Sequence, residues 1–176
     1  EQMLEREENQ INEYLKERGC KAPLLKGYGM CELGSTVATD SAFLRKPHST
    51  GIPIKGVIVA AFDIETNAEL PYGERGEIRV LSVARMKEYY KNPQATKEYF
   101  YEDKVGNLWG KTGDMGYVDE DGFVYILGRA SDMFLTKKDK KVYCFDIENV
   151  VLENPNVIQC KAMGIEKEGD CIPVTH

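Results

Sequence analysis

The sequence is poor in the residues that build metal centres and disulfide frameworks. It has only two histidines, His48 and His176, and its five cysteines, Cys20, Cys31, Cys144, Cys160 and Cys171, include no CxxC pair. Zinc-ligand spacing is therefore absent, and an odd number of scattered thiols does not read as a disulfide scaffold. Such cysteines fit a reducing, cytoplasmic compartment and are expected to be buried and reduced. No apolar stretch approaches the roughly 18 residues of a membrane helix, so no transmembrane segment is expected. A basic excess is missing too. A net charge of -6 and a pI near 5.1 argue against a nucleic-acid partner or an anionic membrane surface. The one basic run, Lys137, Lys138, Lys140 and Lys141, is interrupted by Asp139; a solvated loop and a phosphate-binding patch both fit it. Internal repeats and low-complexity linkers are also lacking, so a domain boundary has to fall in a short connection.

What is present describes a folded chain. The 176 residues are 42% apolar and 30% charged, ordinary values for one or two globular domains. Residues 3 to 18 place Leu4, Ile11, Tyr14 and Leu15 on one helical face, with Gly19 following as a left-handed cap. APLLKGYGMCELGS then moves from a short apolar run, read as a buried strand, into a glycine-punctuated loop suited to a site. Residues 52 to 82 carry two apolar runs, GVIVAAFD and GEIRVLS, separated by turn formers, which predicts a small antiparallel sheet. Asn92 and Pro93 read as the cap and first position of a short helix. MGYVDEDGFVYILG predicts a hairpin turning at Asp119–Gly122. Asp146 is the expected cap of a helix running to Glu153, followed by a strand in VIQCKAMGI and so by a new α/β unit. GRASD, residues 128 to 132, reads either as a plain surface turn or as a hinge that absorbs a backbone rotation.

Three polar side chains are expected where strands end and loops begin: Glu32 in GYGMCE, Asp114 in KTGD and Arg129 in LGR. Singly, each is compatible with a turn or a solvent-facing ion pair. As a set they suit a nucleotide. One carboxylate can accept bonds from both ribose hydroxyls, a second can hold Mg²⁺ against phosphate, and arginine adds donors that stay charged. Tyr28 could lay its ring on a purine while Gly29 lets the backbone approach; a core tyrosine beside a flexible turn fits the pattern equally.

Five segments in order resemble the adenylate-forming superfamily of acyl-CoA synthetases, nonribosomal adenylation domains and beetle luciferases. GYGMCE is similar to that family's YGxTE, GERGEIRV to its GELxV strand, and KEYYKNPQATKEYF to its GYxNxPExTxxxF stretch. KTGDMGYVDEDGFVYILGR is similar to its TGDxGxxDxDGxxxxxGR block, and FDIENVVLENPNV to its PxEIExxLxxHPxV helix. The resemblance implies an α+β fold. Residues 1–128 would be the end of a large adenylation domain with a small antiparallel β-barrel subdomain, 129–132 a hinge, and 133–176 the start of a small α/β domain.

The resemblance also implies roles. Tyr28 would pack on adenine, with Gly29 and Met30 beside the nucleotide; Asp114 would bind the ribose hydroxyls, Arg129 the ribose edge near phosphate, and Glu32 Mg²⁺. The reaction implied joins a carboxylic acid to ATP as acyl-adenylate and passes the acyl group to a thiol. That thiol would be CoA, as in fatty or medium-chain acid synthetases, or the pantetheine of a carrier protein. Cys31 stands where the family usually has a threonine contacting phosphate, and a thiol is a weaker hydrogen-bond partner than a hydroxyl. Ser131 stands at the hinge position usually held by aspartate or lysine, and TKKDKKVY replaces a glycine-bearing loop. A noncatalytic nucleotide-binding or interaction module on the same fold is the alternative. The family's upstream phosphate loop and C-terminal catalytic lysine are not in these residues, so this stretch alone is expected to be inactive.

Overall fold

The computed structural model describes residues 5–136, 141–167 and 170–175. Helix α1 (Glu5–Glu17) ends as expected: Gly19 takes a left-handed φ of +78°, and the Gly19 and Cys20 amides donate to the Lys16 and Leu15 carbonyls. Strand β1 (Gly27–Met30) leads into a single 3-10 turn (Cys31–Leu33). Strands β2 (Ser35–Thr39) and β3 (Ile52–Pro53) complete a three-stranded antiparallel sheet in the order β1-β2-β3. β1 corrects the sequence reading: it is an edge strand whose residues alternate between exposed and half-buried, because only β2 covers it.

The second sheet is five-stranded and antiparallel. It is built from β4 (Val57–Phe62), β5 (Gly76–Ser82), β6 (Phe100–Glu102), β7 (Leu108–Val118) and β8 (Val124–Arg129), ordered β4-β5-β7-β6, with β8 also paired to β7. Both of its faces carry apolar clusters, which explains the nearly unbroken apolar runs in the sequence, although Ile58 of the edge strand β4 is exposed. Val59, Ala61, Ile78 and Val80 enter one core with Leu33, Val37, Val118 and Val124; Ala60 and Phe62 enter another with Trp109. Arg79 lies on this second face, almost fully buried. Its Nε donates to Glu77 Oε2 at 2.8 Å, and its guanidinium lies 4.8 Å from the ring centres of both Phe62 and Tyr101. Helix α2 (Pro93–Tyr99) starts where proline predicts, with Asn92 Oδ1 accepting from the Ala95 amide at 3.1 Å.

The hairpin at Asp119–Gly122 is present, with Gly122 left-handed. Asp119 also accepts from Lys46 Nζ at 2.6 Å, which ties the 41–50 loop to this hairpin. The chain divides into two compact units, Glu1–Ile126 and Leu127–His176. The second contains β9 (Met133–Leu135), β10 (Lys141–Tyr143), α3 (Cys144–Leu152), β11 (Ala162–Lys167) and β12 (Asp170–Thr175), around a core of Phe134, Cys144 and Ala162. Here two expectations are corrected. The cap of α3 is Tyr143, without a side-chain bond, and Asp146 lies in the first turn, where its charge still favours the helix amides. The strand in VIQCKAMGI begins only at Ala162, because its register is set by pairing with β12.

All five cysteines are free; Cys144 and Cys160 are buried, Cys171 is half-buried, and Cys20 and Cys31 are exposed, contrary to expectation, because both lie in turns outside the cores. No helix among the described residues is long and apolar enough to cross a membrane. Lys137, Lys138, Asp139 and Lys140 lie outside the described residues, as do Leu4 and His176.

Candidate functional site

The site grows from two backbone irregularities. The first lies between Tyr28 and Gly29, where the β1–β2 register slips by one residue and Val37 has no partner in β1. Gly29 sits so close to β2 that a Cβ there would stand 1.7 Å from the Ser35 carbonyl oxygen. Only glycine permits this approach. Tyr28 packs partly against the first core and, with Gly27, Gly29, Met30, Cys31, Ser35 and Thr36, lines an open depression of about 340 Å³.

The second irregularity is the TGD segment. Three residues of β7, Thr112 to Asp114, stand opposite the single residue Ile78 of β5. Gly113 takes φ +69°, a conformation that costs glycine little. The Thr112 hydroxyl donates to the Ile78 carbonyl at 2.6 Å and accepts from the Asp114 amide at 3.1 Å, so it replaces ladder bonds that the bulge removes. Asp114 is therefore buried in the middle of a long strand, and the expectation that it ends one is corrected. The result of both irregularities is a meeting: Tyr28 Oη donates to Asp114 Oδ2 at 2.6 Å.

Glu32 occupies the 3-10 turn that follows β1. Leu33, almost fully buried, anchors this turn; its carbonyl accepts from Ser82 Oγ at 3.0 Å, and Gly34 closes the turn in a left-handed conformation. The Glu32 carbonyl accepts from the Met86 amide at 2.6 Å, and its Oε1 accepts from Tyr89 Oη at 3.0 Å. Tyr99 Oη in turn donates to Met30 Sδ at 3.2 Å, and the Tyr89 and Tyr99 rings pack edge to face. Burial, reinforced by the Glu32 charge, raises the pKa of both phenols, so each remains a proton donor through the neutral range.

The structure thus brings Tyr28 to Asp114, and sets Gly29 and Met30 at the end of β1 with Cys31 and Glu32 in the 3-10 turn that follows it. Arg129 and Ser131 belong to the second compact unit: Arg129 is the exposed end of β8, and the exposed Ser131 donates to Asp132 Oδ1 at 3.4 Å. Sequence reasoning overlooked Tyr89 and Thr112. Tyr89 lay inside the KEYYKNPQATKEYF match without a role, and Thr112 stood beside the glycine that marks the bulge.

Residues 8–90 match the family described as AMP-binding enzyme. A Bacillus subtilis protein assigned as an acyl-CoA ligase is 40% identical over 144 residues, 81% of this chain and 27% of its own length. The 2-succinylbenzoate–CoA ligase of Bacillus licheniformis is 36% identical over 149 residues, 83% of this chain and 29% of its own. Among solved structures, O-succinylbenzoate coenzyme A synthetase from Bacillus subtilis in complex with ATP and magnesium ion superposes with a TM-score of 0.73 at 30% identity. That match covers 95% of this chain and 33% of the other. The chain therefore spans between a quarter and a third of the length of these relatives.

Proposed function

Because the chain belongs to the adenylate-forming superfamily, we propose that it is part of an ATP-dependent, AMP-forming ligase that activates a carboxylic acid and transfers it to CoA. One observation carries the reading: the Tyr28 hydroxyl and the Asp114 carboxylate meet at 2.6 Å although 86 residues separate them in sequence. In this reading Tyr28 offers its ring to adenine, and Asp114 receives the ribose hydroxyls. Gly29, Met30 and Cys31 present the edge of the depression to the nucleotide; Arg129, in the second unit, keeps the role that the family resemblance implies for it, a charged donor for the ribose edge near the phosphate.

Glu32 is the residue that would hold Mg²⁺. Among the described residues there is no cluster of three metal-binding side chains, and none is needed, since Mg²⁺ keeps several waters and takes one or two carboxylates together with nucleotide phosphate. The half-buried Glu32 fits that requirement. The ion would supply positive charge to phosphate oxygens as the acid attacks.

The two compact units support a division into the tail of a large domain, residues 1–128 with the five-stranded sheet as its β-barrel subdomain, and the start of a small one from residue 133. Residues 129–132, centred on Ser131, form the hinge in this reading. With soluble ATP, acid and CoA as substrates, the enzyme is assigned to the cytoplasm.

Pyrophosphate release by the full-length protein, with ATP, Mg²⁺ and a panel of fatty, aromatic and dicarboxylic acids, tests this. Acid-dependent release is expected, and Glu32→Ala is expected to lower it at least about 100-fold, the scale of losing a group that stabilises transition-state charge. ATP binding without release for any acid would instead identify a noncatalytic nucleotide-binding module, and transfer of the acyl group from the adenylate to carrier-protein pantetheine but not to CoA, with AMP leaving, would identify a carrier-loading domain.

A further inference from the structure

We propose that Tyr89 is a positioning residue for the Glu32 carboxylate, holding it in the orientation that receives the metal–nucleotide; this rests on the reading of Glu32 given above. Glu32 stands on a turn of only three residues, half-buried, so no packed helix fixes its side chain. A free glutamate loses substantial rotamer entropy on being ordered. The bond from Tyr89 Oη to Oε1 at 3.0 Å meets that ordering cost before any ligand arrives.

Tyr89 is itself braced from several directions. Its amide donates to Thr96 Oγ1 at 2.9 Å, its carbonyl accepts from the Asn92 amide at 3.1 Å, and its ring packs against Tyr99, which ends α2. The same stretch grips the backbone of the glutamate, through the Met86 amide at 2.6 Å. Residues 86–99 therefore form a bracket that touches Glu32 at both its main chain and its carboxylate, and Met30 through Tyr99. The chemistry of the donor also suits the task. A neutral phenol orients a carboxylate while leaving its negative charge available for a cation, whereas lysine or arginine in its place would neutralise it.

The test uses the full-length protein, without acid or CoA, and Mn²⁺ as the metal probe. Titration calorimetry gives the affinity for Mn²⁺·ATP and for ATP in EDTA, and the ratio of the two is the metal's contribution. In Tyr89→Phe, which keeps the ring, the ratio is expected to fall between roughly 3- and 10-fold, the effect of losing one hydrogen bond to a charged group. In a Glu32→Gln background the same change is expected to have no further effect. A merely structural role for Tyr89 would weaken both affinities alike and leave the ratio unchanged, and because the ratio is independent of the folded fraction, partial unfolding does not obscure it. A ratio that survives in Tyr89→Phe but collapses in Glu32→Gln overturns the positioning role alone. A ratio that survives in Glu32→Gln overturns the metal-binding reading of Glu32, and the positioning role with it.

Discussion

Asp103 shows how one side chain can organise a turn. Its Oδ1 accepts from the Val105 and Asn107 amides at 3.0 and 2.8 Å, and its Oδ2 accepts from Asn107 Nδ2 at 2.9 Å and from the Trp109 indole at 3.0 Å. These donors, the Trp109 indole foremost, hold its pKa down at about 2, against the ordinary 3.8. A carboxylate depressed in the folded state stabilises the fold at pH values above its unfolded pKa, and that contribution disappears as pH falls through the folded value. Asp103→Asn would turn an amide NH₂ toward two donors. It is expected to lower the thermal midpoint near neutral pH, with the deficit closing as pH falls from 3.8 to about 2. Because Trp109 is the sole tryptophan, its fluorescence reports both the transition and the titration. A deficit that stays constant across that window would show that the charge is not the source of the stability.

At the scale of elements, the bulge in β7 depends on a division of labour within KTGD. Thr112 restores the hydrogen bonds, Gly113 accepts the left-handed φ, and Asp114 is thereby turned toward Tyr28. Thr112→Val keeps the shape but leaves the Ile78 carbonyl buried without its donor, an expected loss of about 1–3 kcal/mol by denaturant unfolding. ATP affinity is expected to fall with it in the full-length protein, whereas loss of stability with unchanged affinity would separate the bulge from the site. Strands β4 and β5, helices α1 and α2 and the Asp119–Gly122 hairpin were legible in the sequence because apolar runs, periodicity, Asn-Pro and DEDG are local signals; the short strands β2, β3, β6, β9, β10 and β12 carry no such signal and were not legible. The bulge was not. Its cause is the opposition of Ile78 to three residues far along the chain, and a strand-end reading of Asp114 is what local pattern yields when cross-strand register is hidden. Tyr89 escaped notice for the same reason, since its partner Glu32 lies 57 residues away. The exposure of β1 was equally hidden, because an apolar run does not say how many neighbours a strand will have.

For the whole molecule, the decisive feature is that each compact unit carries its own core. Leu33, Val37, Ile78, Val80 and Val124 serve the first, and Phe134, Cys144 and Ala162 serve the second. Among the described residues the second core is the smaller of the two, and small cores leave little margin. Phe134 meets Gly164 of β11 so closely that a Cβ on the glycine would stand 2.6 Å from its ring, so this ring fills the space between β9 and β11. Phe134→Ala should cost about 3 kcal/mol or more through the cavity it leaves. The loss is expected to appear as lost amide protection in the β11–β12 hairpin, read by hydrogen exchange, while the Trp109 fluorescence transition, which reports the first unit, keeps its midpoint. If the Trp109 midpoint fell in step with the hairpin's protection, the two cores would unfold as one cooperative body. Rotation about residues 129–132 would then require breaking native packing, which would count directly against those residues as a hinge.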